Sequence, residues 1–200
     1  MSVKSETLTL KAHLAAGNTK LPATTAIFNM GSATRCPSAA LGMCPFAADR
    51  SGACYALKPE RQYPASLPYR ERQTALWHST SAFAFVAQFL AINARKRNPY
   101  NALRFNESGD FWTQACVDKA ELIAKLLSLH GVRVYTYTHR KDLDFSGCSA
   151  LVVNGSGFMV ANNFKTVAKP SGKHAVCPAD CRICDRCSIA SGETIEAILH

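Results

Sequence analysis

Asn101 to Thr138 reads NALRFNESGDFWTQACVDKAELIAKLLSLHGVRVYTYT, and no other stretch says as much about architecture. Asn101 to Phe105 is a short, largely apolar strand ending in the polar turn Asn106, Glu107, Ser108, Gly109 and Asp110. A helix follows from about Thr113 to His130, and Gly131 stops it. Val132 to Thr138, rich in β-branched and aromatic residues, is a second strand that runs into Thr138, His139, Arg140, Lys141 and Asp142. A strand, a helix of that length and another strand predict a parallel pair joined by a crossover.

The flanks extend the pattern. From Ser79 to Arg97, the residues Phe83, Val86, Ala87, Leu90 and Ala94 recur at helical spacing. Ser79 or Ser81 suits the cap, and Arg95, Lys96 and Arg97 suit the negative end of the dipole. Thr7 to Leu10 and Thr25 to Met30 read as short strands, and Gly31 to Pro68, rich in proline and holding three cysteines, reads as a long ordered loop. Further strands are expected at Ala150 to Val153 and Phe158 to Ala161, around a turn at Asn154, Gly155, Ser156 and Gly157, and a closing helix is expected from about Ser191. The fold class is therefore α/β: a mostly parallel sheet or partial (β/α) barrel with a long cysteine-rich N-terminal loop and a C-terminal cysteine-rich metal-binding segment. Residues 1–170 would form the α/β domain and residues 171–200 the metal-binding segment packed on it.

Seven of the nine cysteines fall in two groups, Cys36, Cys44 and Cys54, then Cys177, Cys181, Cys184 and Cys187. The second group reads Cys-x3-Cys-x2-Cys-x2-Cys, close enough for one metal centre to hold all four thiolates. With 200 residues, 48% of them hydrophobic, the chain can build a core without disulfides, and an odd number of cysteines argues against a disulfide framework. Four thiolates suit a [4Fe–4S] cluster or zinc; the compact run favours the cluster, since zinc ligands more often come as two separated Cys-x2-Cys knuckles. One centre shared between both groups is also open. Cys116, inside a helix, and Cys148, alone between Gly147 and Ser149, are not expected to bind metal, and His174 is read as a turn residue.

The formal charge of +9 is concentrated at the start: residues 1–100 hold twelve Lys and Arg against four acids, residues 101–200 eleven against ten. Arg50, Lys58, Arg61, Arg70 and Arg72 alternate with Tyr55, Tyr63, Tyr69 and Trp77, a mixture of phosphate partners and stacking surfaces that suits single-stranded nucleic acid. The plainer reading is a solubilising face whose aromatics belong to the core. No leader-like segment and no membrane-spanning run is seen, so a cytoplasmic, reducing setting is expected.

In parallel sheets, ligands meet the chain at the carboxyl ends of the strands. Glu107 and Asp110 follow one strand there, His139 and Arg140 the next, and the cysteine loop follows Thr25 to Met30, so these groups are expected at one edge. Asp110 or Glu107 could position a divalent metal or a water and His139 could move a proton. Asp110 could equally cap a helix, and Arg140 could pair with Asp142.

Cys54-Tyr55-Ala56, the run from Arg104 to Phe111, Tyr135 to Thr138 and the terminal cysteines together resemble the gene product 88 family of bacteriophage proteins, over roughly Gly31 to Cys187. That likeness implies a protein of the phage-infected host cytoplasm. More distantly, the Cys-Tyr-Ala loop and the strand endings are similar to phage proteins with radical-SAM-like (β/α) barrels, which implies an iron–sulfur cluster at Cys36, Cys44 and Cys54 with one iron left open for substrate or S-adenosylmethionine. The spacing departs from that pattern: seven and nine residues separate these cysteines, where the radical-SAM loop is Cys-x3-Cys-x2-Cys, and no Gly-Gly-Glu follows a strand. Two classes of function follow: an iron–sulfur enzyme acting on nucleic acid or nucleotides, or a non-catalytic nucleic-acid-binding module stapled by zinc.

Overall fold

A computed structural model describes residues 9–46 and 54–198. The eight strands are β1 (Ala15–Ala16), β2 (Thr25–Phe28), β3 (Ala102–Phe105), β4 (Arg133–Thr138), β5 (Leu151–Ser156), β6 (Asn162–Val167), β7 (Ala175–Val176) and β8 (Thr194–Ile198). They form one open sheet in the order β1-β2-β3-β4-β5-β6-β8-β7. β1 runs antiparallel to β2, and every other pair is parallel. The helices are α1 (Pro37–Ala40), α2 (Leu57–Gln62), α3 (Ser66–Ser79), α4 (Ala82–Asn93) and α5 (Gln114–Ser128). The α/β class and the mostly parallel sheet thus match the sequence pattern.

Because side chains alternate across a strand, the register assigns the two faces. Phe28, Leu103, Phe105, Val134, Leu151 and Val153 join one core with Trp77, Phe85, Phe89, Val117, Ile123 and Leu127 from the helices. Phe28 and Phe85 meet edge-on at 5.2 Å, and Trp77 packs on Phe105 at 5.5 Å. Arg104 pairs in register with Tyr135, and Tyr137 with Asn154, so these four side chains lie on the opposite face.

Several elements differ from the sequence reading, each for a physical reason. α4 is capped by Ser81, whose Oγ accepts from the Ala84 N–H at 3.1 Å, but its buried stripe is Phe85, Val86 and Phe89 while Phe83 is 64% exposed. The segment is apolar nearly all round, so periodicity alone offers no unique face. α3 escaped recognition because its inner face is partly polar: Arg70 and Gln73 are buried beside Leu76 and Trp77. β5 runs through Asn154 and Gly155, which read as a turn. A Cβ at Gly155 would meet the Phe158 carbonyl oxygen at 2.3 Å, so only glycine lets the following loop fold back there. The next strand is Asn162–Val167 and not Phe158 to Ala161, because Asn162 is satisfied through its side chain, donating to Asn154 Oδ1 and to the Ile189 carbonyl. The chain closes in the strand β8, not a helix, since Ile195 finds a buried slot beside β6. Leu10–His13 is a 3-10 helix where a strand over Thr7 to Leu10 was expected; Thr7 and Leu8 lie outside the described residues.

Glu60, on α2, ties the loops of the carboxyl edge together. It accepts from the N–H groups of Ala33 and Thr34 at 2.7 and 2.9 Å, from the Thr34 hydroxyl at 2.6 Å, from Ser108 Oγ at 3.3 Å and from Arg70 Nη1 at 2.6 Å. Burial by itself would raise its pKa, but the bonds from Thr34, Arg70 and the two backbone N–H groups outweigh burial and hold the carboxyl below its usual 4.5. A carboxylate with a depressed folded-state pKa lends stability that is present above the unfolded value and is lost as pH falls through the folded one. Glu60→Gln is therefore expected to cost stability near neutral pH and progressively less as the pH drops below 4.5, measured by urea unfolding across that range. A stability difference between variant and parent that stays constant with pH would refute the role.

Candidate functional site

Three strand ends meet at the carboxyl edge. After β3, Asn106 takes a left-handed conformation (φ 56°), and its Oδ1 accepts from the Met30 N–H at 3.0 Å, fastening the end of β3 to the end of β2. Gly109 (φ 73°) follows, and a Cβ there would sit 2.6 Å from the Gly31 carbonyl oxygen. That close approach sets Asp110 against the cysteine loop.

Asp110 is buried and fully engaged. Its carboxylate accepts from Ser38 Oγ at 2.5 Å, Thr138 Oγ1 at 2.7 Å, the His139 N–H at 2.9 Å and the Phe111 N–H at 2.8 Å. Burial dominates over these bonds and pushes its pKa above the usual value. Cys36 stands at the N-cap of α1 in the same cluster, its thiol pushed up to about 12 by burial, then by Asp110, with a smaller contribution from Cys44. The helix-cap alternative for Asp110 does not describe it, because its partners come from α1, from the end of β4 and the residue after it, and from its own loop.

His139 packs its ring edge-on against Phe46 at 6.1 Å. Burial lowers its pKa, Asp110 acts in the opposite direction and Lys141 adds to the lowering, so the imidazole is held neutral near pH 7. Arg140 is buried and its guanidinium is occupied: Nε and Nη2 donate to Asp142 at 2.7 Å each, and Nη1 donates to the carbonyls of Phe111 and Trp112. It locks the loop after β4 onto the loop after β3, leaving little of it for a substrate. Glu107 accepts from Asn18 Nδ2 at 2.5 Å, and its carbonyl accepts from the Tyr55 hydroxyl at 2.9 Å. The edge therefore gathers Cys36, Cys44, Asp110, His139 and Arg140 as the strand order suggested, together with Thr138, which the sequence reading placed in the polar run without a role, and Ser38, which it had not singled out. Short hydroxyl side chains flanking a strand end carry no periodic signal that would mark them.

The family profile described as "Gene product 88" matches residues 2–154. The chain belongs to the gene product 88 family. The matched span takes in the ends of β2, β3 and β4 and stops within β5, so it holds Asp110, His139 and the N-terminal cysteines, while β6 to β8 and Cys177 to Cys187 lie beyond it. No curated protein and no solved structure matches the chain, and the likeness to radical-SAM barrels finds no counterpart there.

The terminal cysteines lie against the other face of the sheet. The Cys177 N–H donates to the Glu196 carbonyl, the Cys181 N–H to the Lys20 carbonyl, and Asn154 Nδ2 donates to the Cys187 carbonyl at 2.8 Å. The Cys187 thiol is pushed up to about 11, first by burial against the opposing hydrogen bond from Tyr137, then by the proximity of Cys177, Cys181 and Cys184. Cys177, Cys181 and Cys184 thus lie near enough to Cys187 to act on its charge. Among the described residues, however, no three His, Cys, Asp or Glu side chains are arranged to hold a metal ion. Cys116 is a core thiol that accepts from Trp77 Nε1 at 3.3 Å, and Cys148 lines an open groove along α5 with Gln114, Asp118, Glu121 and Lys125, away from both cysteine groups.

Of the basic residues, Lys58, Arg61 and Arg72 are exposed, as are Tyr55 and Tyr63. Arg70 is buried in an ion pair with Glu60 at 2.6 Å, so its charge is spent inside the fold. Trp77 belongs to the core, and Tyr69 stacks on His13 at 5.9 Å. Arg50 lies outside the described residues. No described helix is long and apolar enough to cross a membrane.

Proposed function

We propose that the chain is a metal–thiolate protein that acts on or binds nucleic acid or nucleotides, with Cys177, Cys181, Cys184 and Cys187 holding a [4Fe–4S] cluster or, in the alternative, zinc. One observation carries the reading. From Ala168 to Glu193 Ser188 alone is buried, yet all four cysteines are turned partly inward while Ile183 and Ile189 are 76% and 44% exposed. Ordering such a segment costs roughly 1–2 kcal/mol per residue, and it has almost no apolar burial to offset that. A bound metal would offset a substantial part of that cost. Thiols in and isoleucines out is the pattern of a segment organised by sulfur ligation.

A centre closed by four thiolates would staple the segment or carry electrons. Substrate chemistry then falls to the carboxyl edge. A neutral, partly buried His139 beside Asp110 suits proton transfer near neutral pH, and Cys36 and Cys44 offer soft ligands in the same cluster, to which Cys54 would be a third. Lys58, Arg61 and Arg72, with exposed Tyr55 and Tyr63, suit a single-stranded phosphate backbone.

The test is metal analysis of protein purified without oxygen. Iron with sulfide and broad visible absorption is expected; stoichiometric zinc would favour the non-catalytic module, and neither metal would end the proposal. For the nucleic-acid part, Arg61→Gln combined with Arg72→Gln is expected to weaken binding of a labelled single-stranded oligonucleotide and to reduce the salt slope by about 1 for each phosphate no longer neutralised. Unchanged binding and slope would remove nucleic acid from the reading.

A further inference from the structure

Two fully buried asparagines hold the far end of the terminal segment to the sheet. Asn154 on β5 and Asn162 on β6 are in register on the face away from the helical core, and both are 0% exposed. Asn154 Nδ2 donates to the Thr136 carbonyl of β4 at 3.0 Å and to the Cys187 carbonyl at 2.8 Å. Asn162 Nδ2 donates to Asn154 Oδ1 at 3.0 Å and to the Ile189 carbonyl at 2.8 Å. Its Oδ1 accepts from the Ser191 N–H at 3.0 Å and from the Ser191 hydroxyl at 2.9 Å. The Gly192 N–H then donates to the Ala161 carbonyl at 3.0 Å. Both amides are engaged at nitrogen and at oxygen, so residues 187–192 are fixed by side chains of the sheet and not by apolar burial.

The stretch before it is held far more lightly. The Cys177 N–H bonds the Glu196 carbonyl at 2.7 Å, the Cys181 N–H bonds the Lys20 carbonyl at 2.8 Å, and Asp185 pairs with Arg133 at 3.1 Å between exposed side chains. Asp180 pairs with Arg182, two residues on, and Ile183 is 76% exposed. Exposed ion pairs contribute little, and segments with few buried contacts open at a much lower free energy than the core. Tyr135 gives this stretch something to cover. It is 5% exposed although it lies on the face opposite the helical core, and Arg133, two residues before it on that face, carries Asp185. We propose that residues 178–186 form a strap that opens between two fixed ends, β7 and a polar latch at Asn154 and Asn162, and that its opening uncovers Tyr135. No sulfur takes part in the latch, so the division between latch and strap holds whether or not the thiols bind metal.

Hydrogen exchange read by mass spectrometry tests this on the full chain, with a chelator present so that bound metal does not close the strap. Amides of residues 178–186 are expected to exchange on the order of 100-fold faster than those of Ser191 and Gly192. Asn162→Ala strands the Ser191 N–H and the Ile189 carbonyl, and it is expected to speed exchange at Ser191 and Gly192 by about 10- to 100-fold while leaving residues 178–186 as they were. Where that variant does not fold, Ser191→Ala, which removes the hydroxyl donor and keeps the N–H, is expected to give a smaller increase at the same amides. Nitration of Tyr135 by tetranitromethane is expected to proceed in step with exchange in the strap. A single rate shared by residues 178–186 and 187–192 overturns the division. Parental exchange at Ser191 and Gly192 in both variants overturns the latch, and a Tyr135 that stays unreactive while the strap exchanges overturns its covering role.

Discussion

Asp110→Ala is expected to lower stability by about 4 kcal/mol, because it strands donors that have no other acceptor: each buried donor left unpaired costs roughly 1–3 kcal/mol. Ser38 and Thr138 can rotate their hydroxyls, but the N–H groups of His139 and Phe111 are fixed by the backbone and lose their partner outright. In a chain of this size the loss corresponds to a melting temperature lower by on the order of 10 °C. Asp110→Asn keeps one oxygen, can still serve Thr138 and Phe111, and presents an amide donor to the His139 N–H, so it is expected to be destabilised less, by about 2 kcal/mol. The folded state favours the protonated form of Asp110. The carboxyl therefore contributes most below its unfolded pKa and progressively less as pH rises through the folded value, and the gap between parent and Asp110→Asn should narrow in that direction. Denaturant unfolding of both variants that superimposes on the parent would show that Asp110 does not hold the edge together.

Replacing Cys184 and Cys187 together by serine is expected to abolish metal at the terminal group and to release the chain from about Ala168 to Arg186. Hydroxyls are poor ligands for soft metals, so two of the four donors are removed. Ligand-linked stabilisation reaches about 4 kcal/mol when metal stands at a thousand times its dissociation constant, all of which disappears. Limited proteolysis is expected to cut the variant between β6 and β8, because little apolar burial remains to protect those residues. The matching change at Cys36 and Cys44 should leave the terminal segment protected, since the neighbours that act on Cys36 are Asp110 and then Cys44, while those that act on Cys187 are Tyr137 and then the other terminal thiols. A serine double variant that keeps both its metal and its protease resistance would show that sulfur ligation does not order the segment.

The polar strand endings were legible because an apolar run that stops at Asn106 or Thr138 advertises the edge of a parallel sheet, and the chemistry follows from the edge. Arg70 and Arg104 show the limit. Both are arginines among apolar residues, one in a helix and one in a strand, and composition treats them alike. Arg70 is buried against Glu60, ten residues earlier in the chain. Arg104 meets the ring of Tyr137 instead, 5.0 Å from its centre. A charge inside a strand of a parallel sheet is the one local signal that sets Arg104 apart, and it does not say which distant residues will meet it.

From local pattern alone came the strand–helix–strand unit over residues 101–138, a serine cap at Ser79 or Ser81, the two cysteine groups and the likeness to the gene product 88 family. Each of these depends on neighbours within a few turns of the chain, where spacing constrains geometry directly. Which face of α4 is buried, whether the last residues are helix or strand, and which arginine is paired and which left without a carboxylate depended on partners distant in sequence. Those contacts exist once β2, β3, β4 and β5 are aligned and the C-terminal segment is laid across them, and no local periodicity encodes them.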